Sequence, residues 1–553
     1  MTTGQRSKTS VGQRRLFAVI NINGGAKRGS AVQESNTHKH SIARSASVVG
    51  AATVASRVLG YIRDAVVAYV FGAGMYSDAF FVAFRVTNLL RRLVGEGALT
   101  SSFIPIFTAE RAERTTEGSR ELVSSIFTLF TIILAVLALL GVIFSKELVW
   151  LMSPGFASDP EKFRITVNLT MQMFPYMVFV GLMAISMGVL NSYRHFAAPA
   201  LSPVLFNLSL IFSVLVIARF MSMPVYALSI GVLIGGFFQF LLQVPYLKRY
   251  GMMPRLSFKF ADPAIKKIFL LMGPAAFGVG VYQLNIFVTL WFASKLSEGS
   301  VSYLYYSGRL MELPIGVFSV AVATAVLPSL CEHVVKKEWG DFRSSLSFAI
   351  RIVNFVTIPA TIGLIILSFP IIDLLFKRGQ FRAEASSATA IALCYYAIGL
   401  VPVSACRLLS SVFYSLKDTV TPVWVGFIAF VVNALLCLAL VGPLKHGGLA
   451  LATSLSSFVN MIIFFIMLRK RFGQFGGKNI LKSALKSTLA SIASGAVVYL
   501  MTIKIDYYGL SGLFKPLFVV SAIVAAIVVY IVLSLLLKSQ ELTFLKGFVK
   551  RSR

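Results

Sequence analysis

The sequence predicts an all-α polytopic membrane protein: about fourteen transmembrane helices, in two six-helix lobes around a central cavity, with two extra C-terminal helices. Three observations carry this. The 553 residues are 57% hydrophobic and only 13% charged, about half the ~25% charged content of soluble domains, and mean hydropathy is +0.79. Apolar stretches long enough to cross a ~30 Å hydrocarbon core as helices recur along the chain. A faint repeat aligns Asp78–Phe107 with Val301–Leu330, matching Val94 with Val317, Ala98 with Ala321 and Pro105 with Pro328. The repeat lies six spans apart, an even number, so the halves share one orientation.

In order, the spans are expected at 48–71, 78–107, 122–145, 165–192, 199–219, 224–247, 266–294, 299–330, 345–375, 386–415, 421–441, 447–468, 482–503 and 515–537. Turn residues punctuate them: Gly72 and Gly74 after the first, Ser153, Pro154 and Gly155 after the third, Gly442 and Pro443 after the eleventh. Pro175, Pro274, Pro314 and Pro402 fall inside spans and are expected to kink them, neighbours re-satisfying the freed backbone groups. The domain reading is a basic, disordered cytoplasmic extension at 1–46, for which an annotated start codon placed too far upstream is the competing explanation. An N-terminal lobe at 47–250, a C-terminal lobe at 264–470, a helix pair at 480–538 and a basic cytoplasmic tail at 539–553 follow.

Net charge is +30. The basic residues cluster in loops on one side, as at Lys248, Arg249, Arg255, Lys259, Lys266 and Lys267, and again at Arg469, Lys470, Arg471, Lys478, Lys482 and Lys486. This is the positive-inside pattern, which predicts both termini in the cytoplasm, rather than a nucleic-acid surface. Cys331, Cys394, Cys406 and Cys437 show no CxxC spacing, and the five histidines are dispersed, so neither a disulfide framework nor a metal centre is expected. The Gly72–Met75 segment has no preceding strand and no third glycine at phosphate-loop spacing, so it reads as a turn. Phe-rich runs such as 237–240 read as lipid or packing surface.

Charge inside the spans concentrates in the first, second and eighth, with Arg407 in the tenth. Asp78, Arg85, Arg92 and Glu96 are spaced seven, seven and four residues apart and so lie along one helical stripe, with Asn88 between them and Arg91 off it. Arg57 and Asp64 share a face of the first span across Gly60; Arg63 sits beside Asp64. Arg309 and Glu312 are i,i+3 neighbours ahead of Pro314. A charge at the bilayer centre costs ~2.5–3.5 kcal/mol on insertion scales, so such groups face a partner, a water-filled cavity or a cargo. Local pairing, as in Arg92–Glu96 or Arg309–Glu312, accounts for some of them. It leaves a positive surplus, because the first, second and eighth spans hold six arginines against four carboxylates. Arginine's planar fork suits phosphate, so the surplus points to an anionic, diphosphate-bearing cargo.

The residues carrying these charges resemble a known family. Ser56–Phe107, SRVLGYIRDAVVAYVFGAGMYSDAFFVAFRVTNLLRRLVGEGALTSSFIPIF, is similar to the MurJ/MviN lipid II flippases, as are SPGF at Ser153–Phe156, FPY at Phe174–Tyr176, MGPA at Met272–Ala275, YYSGRLMELPIGVF at Tyr305–Phe318, FYSLKDTVTP at Phe413–Pro422 and GPLKHGGL at Gly442–Leu449. The resemblance spans roughly 47–540. It implies the fold of the multidrug/oligosaccharidyl-lipid/polysaccharide exporter superfamily and alternating access. It also implies lipid II, the undecaprenyl-diphosphate-linked disaccharide-pentapeptide, as cargo, flipped from the cytoplasmic to the periplasmic leaflet. By that resemblance Arg57, Arg63, Asp78, Arg91, Arg92 and Arg309 match important cavity charges, Asp64 and Glu96 match the pattern, and the last two helices match a groove for the polyprenyl tail.

The expected substrate-binding set is therefore Arg57, Arg63, Asp64, Asp78, Arg85, Arg91, Arg92, Glu96, Arg309 and Glu312, with no catalytic or metal-binding residue and no enzyme activity. No cofactor is expected; the membrane potential or a coupling ion is left open as the energy source. Two departures from the family stand out. Gly308 replaces an Asp that some members carry before the eighth-span arginine, and Asn285 and Asn433 stand where a sodium site would want carboxylates, so a sodium site is not carried over. Expected partners are lipid II and membrane lipids, without nucleic acid, for a monomer in the bacterial inner membrane with room for contacts to the cell-wall synthesis machinery. The competing readings are a cation-coupled multidrug exporter, which would want an acidic cavity, and a flippase for another polyprenyl-linked oligosaccharide.

Overall fold

Prolines, glycines and loop charges cut the apolar sequence into helices, and in the computed structural model the described residues contain helices and turns but no strand. The structure describes residues 23–91, 100–505, 507 and 509–542, with side chains described from 47 onward except at 90, 91, 100, 101, 274–279, 281 and 282. The helices are α1 (Asn23–Phe71), α2 (Met75–Arg91), α3 (Thr100–Glu113), α4 (Thr116–Ile143), α5 (Ser145–Met152), α6 (Pro160–Met173), α7 (Tyr176–Ser192), α8 (Ala197–Leu215), α9 (Tyr226–Leu241) and α10 (Val244–Arg249). They continue with α11 (Pro263–Ser294), α12 (Ser300–Pro314), α13 (Val320–Lys336), α14 (Trp339–Ile366), α15 (Ser368–Phe376), α16 (Ala383–Ile398), α17 (Leu400–Ser415), α18 (Val420–Phe472), α19 (Gly477–Lys504) and α20 (Phe514–Leu536).

Among the described residues, nine helical stretches are long and apolar enough to cross a membrane, ten when the pair α16 and α17, bent by 47°, counts as one. α18 counts once among them but is two helices, because Lys445 breaks it at φ 50°, ψ −131°. Val425 and Leu468 share one packing cluster, whereas a straight helix would hold them ~65 Å apart. A total of fourteen further requires α1, the α2–α3 pair and α11. Leu139, Leu438, Leu489 and Val524 stay exposed on these helices, as on a surface solvated by lipid. α1 starts at Asn23, inside the stretch expected to be a disordered extension; no proline lies between residues 23 and 71 to stop it.

Of the prolines expected to kink their spans, three coincide with irregularities in the helices, and a bend is seen at one of them. α6 and α7 meet at Pro175, α16 and α17 bend just before Pro402, and α12 ends at Pro314 in a π-helical turn, Ile315–Ser319. The side chain of Pro274 lies outside the described set.

Packing differs between the two ends of the bundle. At the far end, where α1 finishes at Phe71, one core contains residues from both halves of the chain: Val67, Phe81, Phe174 and Phe206 with Tyr306, Phe376, Phe381 and Leu449. Phe81 stacks on Tyr305 with ring centroids 3.8 Å apart. At the end where α1 begins, two separate cores form. One gathers Phe103, Phe107, Ile126, Phe130 and Leu190; the other gathers Leu330, Phe342, Phe413, Phe464 and Leu468. The halves are thus joined at one end and packed independently at the other. α11, expected to open the C-terminal lobe, places Ala264, Ile265, Ile268 and Met272 in the N-terminal core, and Arg114 makes a bidentate pair with its capping residue Asp262 at 2.6 and 2.9 Å.

The far-end junction is polar as well as apolar. Asp78, 1% exposed, accepts hydrogen bonds from the backbone N–H groups of Gly299 (2.8 Å) and Ser302 (2.9 Å), from Ser302 Oγ (2.7 Å) and from Lys162 Nζ (2.8 Å). It thereby caps the N-terminus of α12 from another helix, meeting orphan donors and the positive end of the helix dipole. Gly299 has φ +86°, and a Cβ there would meet Ala73 O at 2.7 Å. The Met75 N–H donates to Glu298 (2.6 Å) and the Gln380 N–H to Tyr69 O (2.9 Å). The Gly72–Gly74 turn is therefore a contact between the halves, and a Cβ at Gly72 would lie 2.6 Å from Gln380 O. Beside it, Asp373 pairs with Lys515 and Lys377 at 3.0 and 2.9 Å, tying the α19–α20 hairpin to α15.

Asp78→Asn leaves Lys162 buried and uncompensated, a cost of roughly 3–5 kcal/mol. The variant should melt lower, and Lys162→Met added to it should restore much of the loss; an unchanged melting temperature would show that Asp78 does not hold the junction. At the opposite end, the hydrogen bonds from Arg114 hold the Asp262 carboxyl below its usual range, so the pair stabilises at neutral pH and is lost as pH falls through that lowered value. Asp262→Asn keeps the helix cap and should cost about 0.5–1 kcal/mol at pH 7 for this partly exposed pair, the gap to the parent in thermal melts closing as the carboxyl protonates.

Candidate functional site

α1 and α12 meet through side chains at a crossing near Gly60, whose missing Cβ leaves room for the Arg309 guanidinium: a Cβ at that position would lie 3.2 Å from it. At this crossing Asp64, 2% exposed, is shared by two arginines. Arg63 Nε and Nη2 donate to Oδ1 at 3.0 and 2.6 Å, and Arg309 Nε donates to Oδ2 at 3.0 Å. Tyr305 adds a longer contact to Oδ1 at 3.3 Å. Arg63 also donates to Asn207 Oδ1 (3.1 Å), and Tyr61 OH donates to the Arg309 carbonyl (2.9 Å). Arg309 reaches on to Glu312 at 3.3 Å, the local pair expected from their spacing.

Arg57, two turns nearer the start of α1 than Asp64, donates to the Gly316 carbonyl at 3.1 Å. The π-helical turn after Pro314 presents that carbonyl, and a Cβ on Gly316 would press to 2.7 Å from the guanidinium. Arg57 and Asp64 share a helix face as expected, but Asp64 pairs with its neighbour Arg63 and with Arg309 instead.

Two cavities open from this crossing and share Arg309 and Glu312. One, of about 280 Å³, is lined by Arg63, Arg85, Asn88, Asn207, Gln239, Gln283 and Tyr305 with aromatic walls. The other, of about 670 Å³, is lined by Arg57, Tyr61, Leu313, Gly316, Arg407, Ser410, Ser411 and Tyr414. Five arginines thus stand around the crossing against Asp64 and Glu312, and among the described residues Arg85 and Arg407 make no ion pair. A third cavity, about 180 Å³, lies beyond Arg85 beside Asn285, Thr289, Tyr396 and Thr453, with no carboxylate among its lining residues. Asn433 is buried on α18, its Nδ2 without a partner among the described residues. Away from the cavities, His333, Glu338 and Asp341 bring ligand-type atoms within 4.8 Å of one another, but His333 and Glu338 already pair at 3.0 Å and both carboxylates are exposed.

Of the expected site residues, Arg57, Arg63, Arg85, Arg309 and Glu312 line the cavities, and Asp64 lies directly beneath them. Asp78 does not: it is enclosed in the far-end junction with both oxygens occupied. The stripe argument places it on the right face of the helix but says nothing of depth along the axis. The Arg91 side chain, Arg92 and Glu96 lie outside the described residues. Tyr61, Asn207 and Tyr305 were missed because nothing in their sequence surroundings sets them apart. Arg407 was visible as a lone charge in an apolar span, and without a carboxylate partner in sequence it was not placed in the site.

The comparisons with known proteins follow the same outline. The family model for "Lipid II flippase MurJ" matches residues 67–539. The lipid II flippase MurJ of Burkholderia cenocepacia is 33% identical over 88% of this chain and 95% of its own length, and the probable lipid II flippase MurJ of Vibrio cholerae is 37% identical over 76% and 82%. A solved lipid II flippase MurJ in an inward closed conformation superposes with a TM-score of 0.74 at 27% identity, covering 88% of this chain and 97% of that one. An inward-facing multidrug transporter of the MATE family shares the fold alone, with a TM-score of 0.62 at 16% identity over 76% of this chain and 95% of that one. A cationic crossing of two helices between two halves, sealed at one end, therefore sits in a chain that belongs to the lipid II flippase MurJ family.

Proposed function

We propose that this protein is a lipid II flippase of the bacterial inner membrane. It carries the undecaprenyl-diphosphate-linked precursor from the cytoplasmic to the periplasmic leaflet by alternating access, making and breaking no bond. The observation that carries this is the arginine surplus at the α1–α12 crossing. Arg57, Arg63, Arg85, Arg309 and Arg407 face the cavities against two carboxylates, and one of these, Asp64, is already shared by two of the arginines. A diphosphate supplies the missing negative charge through charge-assisted, forked hydrogen bonds.

The orientation rests on the loop charges: the end where α1 begins is the cytoplasmic one under the positive-inside rule. On this reading the chain makes fourteen spans in two lobes, the state described is open to the cytoplasm, and the Asp78 junction is the closed periplasmic gate. The α19–α20 pair, with Leu489, Ile492, Tyr499, Leu517 and Val524 exposed, supplies an apolar surface for the polyprenyl tail. No cofactor is needed. Outward movement of a net negative headgroup is favoured by an inside-negative potential, at ~2.3 kcal/mol per charge per 100 mV.

In vesicles containing the purified protein, lipid II should cross measurably faster than in protein-free vesicles, and collapsing an inside-negative potential should slow it; no protein-dependent flipping would overturn the assignment. Arg309→Gln removes a charge-assisted contact of ~1.5–3 kcal/mol, so flipping should fall at least tenfold in protein that still inserts. A variant that melts lower yet flips at the parental rate would make the arginine purely structural.

A further inference from the structure

The cavity of about 280 Å³ contains two glutamines without a hydrogen-bond partner among the described residues. Gln239 on α9 and Gln283 on α11 are each 6% exposed, and both line the 280 Å³ space. Neither side chain makes a hydrogen bond among the described residues: Gln239 Oε1 and Gln283 Nε2 are enclosed without a partner. The other amides of this wall are occupied. Asn207 accepts from Arg63 and donates to the Ser56 carbonyl (3.0 Å), and Asn88 donates to the Phe84 carbonyl (2.9 Å). A buried amide without a partner carries its desolvation cost with nothing to offset it, and a hydrocarbon side chain would fill the same space without that cost.

We propose that this cavity is a carbohydrate subsite that takes an N-acetylated sugar ring of the cargo on its free amides and aromatic wall, beside the arginines assigned above to the diphosphate. The inference rests on the flippase reading and specifies how the headgroup is recognised. A primary amide both donates and accepts, and its terminal torsion turns with little cost, so either end can be offered to a ligand. Two such groups match a partner that also does both, as hydroxyl and acetamido groups do; a phosphate oxygen only accepts. Phe84, Phe206 and Tyr176 form an apolar wall on which a ring face can lie, with Phe84 and Phe206 stacked at 6.1 Å and Tyr176 and Phe206 tilted at 5.7 Å. Arg85 enters the same space without an ion-pair partner among the described residues, offering donors to a ring hydroxyl or acetyl oxygen. The volume is at the small end of the ~300–1,000 Å³ of small-molecule sites, room for a sugar ring but not for a whole disaccharide-peptide. The larger cavity across Arg309 remains for the rest.

The test compares two lipids on the full-length protein in nanodiscs: lipid II, and undecaprenyl diphosphate, which has the same anchor and charge-bearing group without the sugar. The parent should bind lipid II more tightly. Gln239→Leu and Gln283→Leu should each weaken lipid II binding about tenfold, leave undecaprenyl diphosphate binding unchanged, and melt no lower than the parent, because each removes an unmet amide. The subsite is overturned if both lipids weaken together, if neither changes, or if the parent binds the two lipids equally. A parent that binds neither lipid overturns the flippase reading itself, a distinguishable failure.

Discussion

The structure of the site depends on one shared carboxylate. Asp64 stands between Arg63 of its own helix and Arg309 of a helix from the other half of the chain, so it joins the halves at the floor of the cavities and fixes two guanidinium planes at once. Removing charge from water is expensive, and a buried pair offsets that cost only when its remaining hydrogen-bonding groups are satisfied. Asn207, Tyr305 and Glu312 take up those groups here. One carboxylate between two arginines leaves an excess of positive charge in place before any cargo arrives. On the proposed reading this preorganises the site for an anion, because the protein holds the arginines in place before a phosphate enters.

The second constraint is the asymmetry between the ends of the bundle. One core made from both halves, together with Asp78 capping α12 and Lys162 neutralising Asp78, closes the far end. At the other end two cores pack separately. On the proposed alternating-access reading, the two separate cores move as units while the shared core and the bonds of Asp78 part. The crossing of α1 and α12 lies between these ends, so an anion drawn to Arg57 and Arg309 contacts both halves. α11 belongs to both as well. Its first turns pack in the N-terminal core and Arg114 holds its cap, while its later residues Asn285 and Thr289 line a cavity with Tyr396 and Thr453 of the C-terminal half.

Much of this was legible in the sequence, for physical reasons that also mark where legibility stops. Apolar length and interrupting prolines report helices directly, and the break between α6 and α7 at Pro175, the bend before Pro402 and the π-helical turn after Pro314 lie where a missing N–H requires some adjustment. Charges in apolar spans report a polar destination, and Arg57, Arg63, Arg85 and Arg309 have one. Periodicity gives a helix face but not a depth, so Asp78 shared a stripe with Arg85 and still belongs to a different structure. Pairing between distant helices is not written in local spacing either. Asp64 was matched by face with Arg57, and only the tertiary fold brings Arg309 to it. Buried glutamines carry no charge to draw notice, so Gln239 and Gln283 emerge only when their empty hydrogen-bonding capacity is seen against a cavity.

The claim at the centre is that surplus guanidinium charge, and not apolar fit alone, recognises the cargo. It is tested most directly by the affinity of the purified protein for undecaprenyl diphosphate relative to undecaprenol, with Arg57, Arg85 and Arg407 replaced by glutamine one at a time. A strong preference for the diphosphate is expected, falling by about tenfold for each arginine that contacts it. Equal affinity of the parent protein for the charged and uncharged lipids would contradict it.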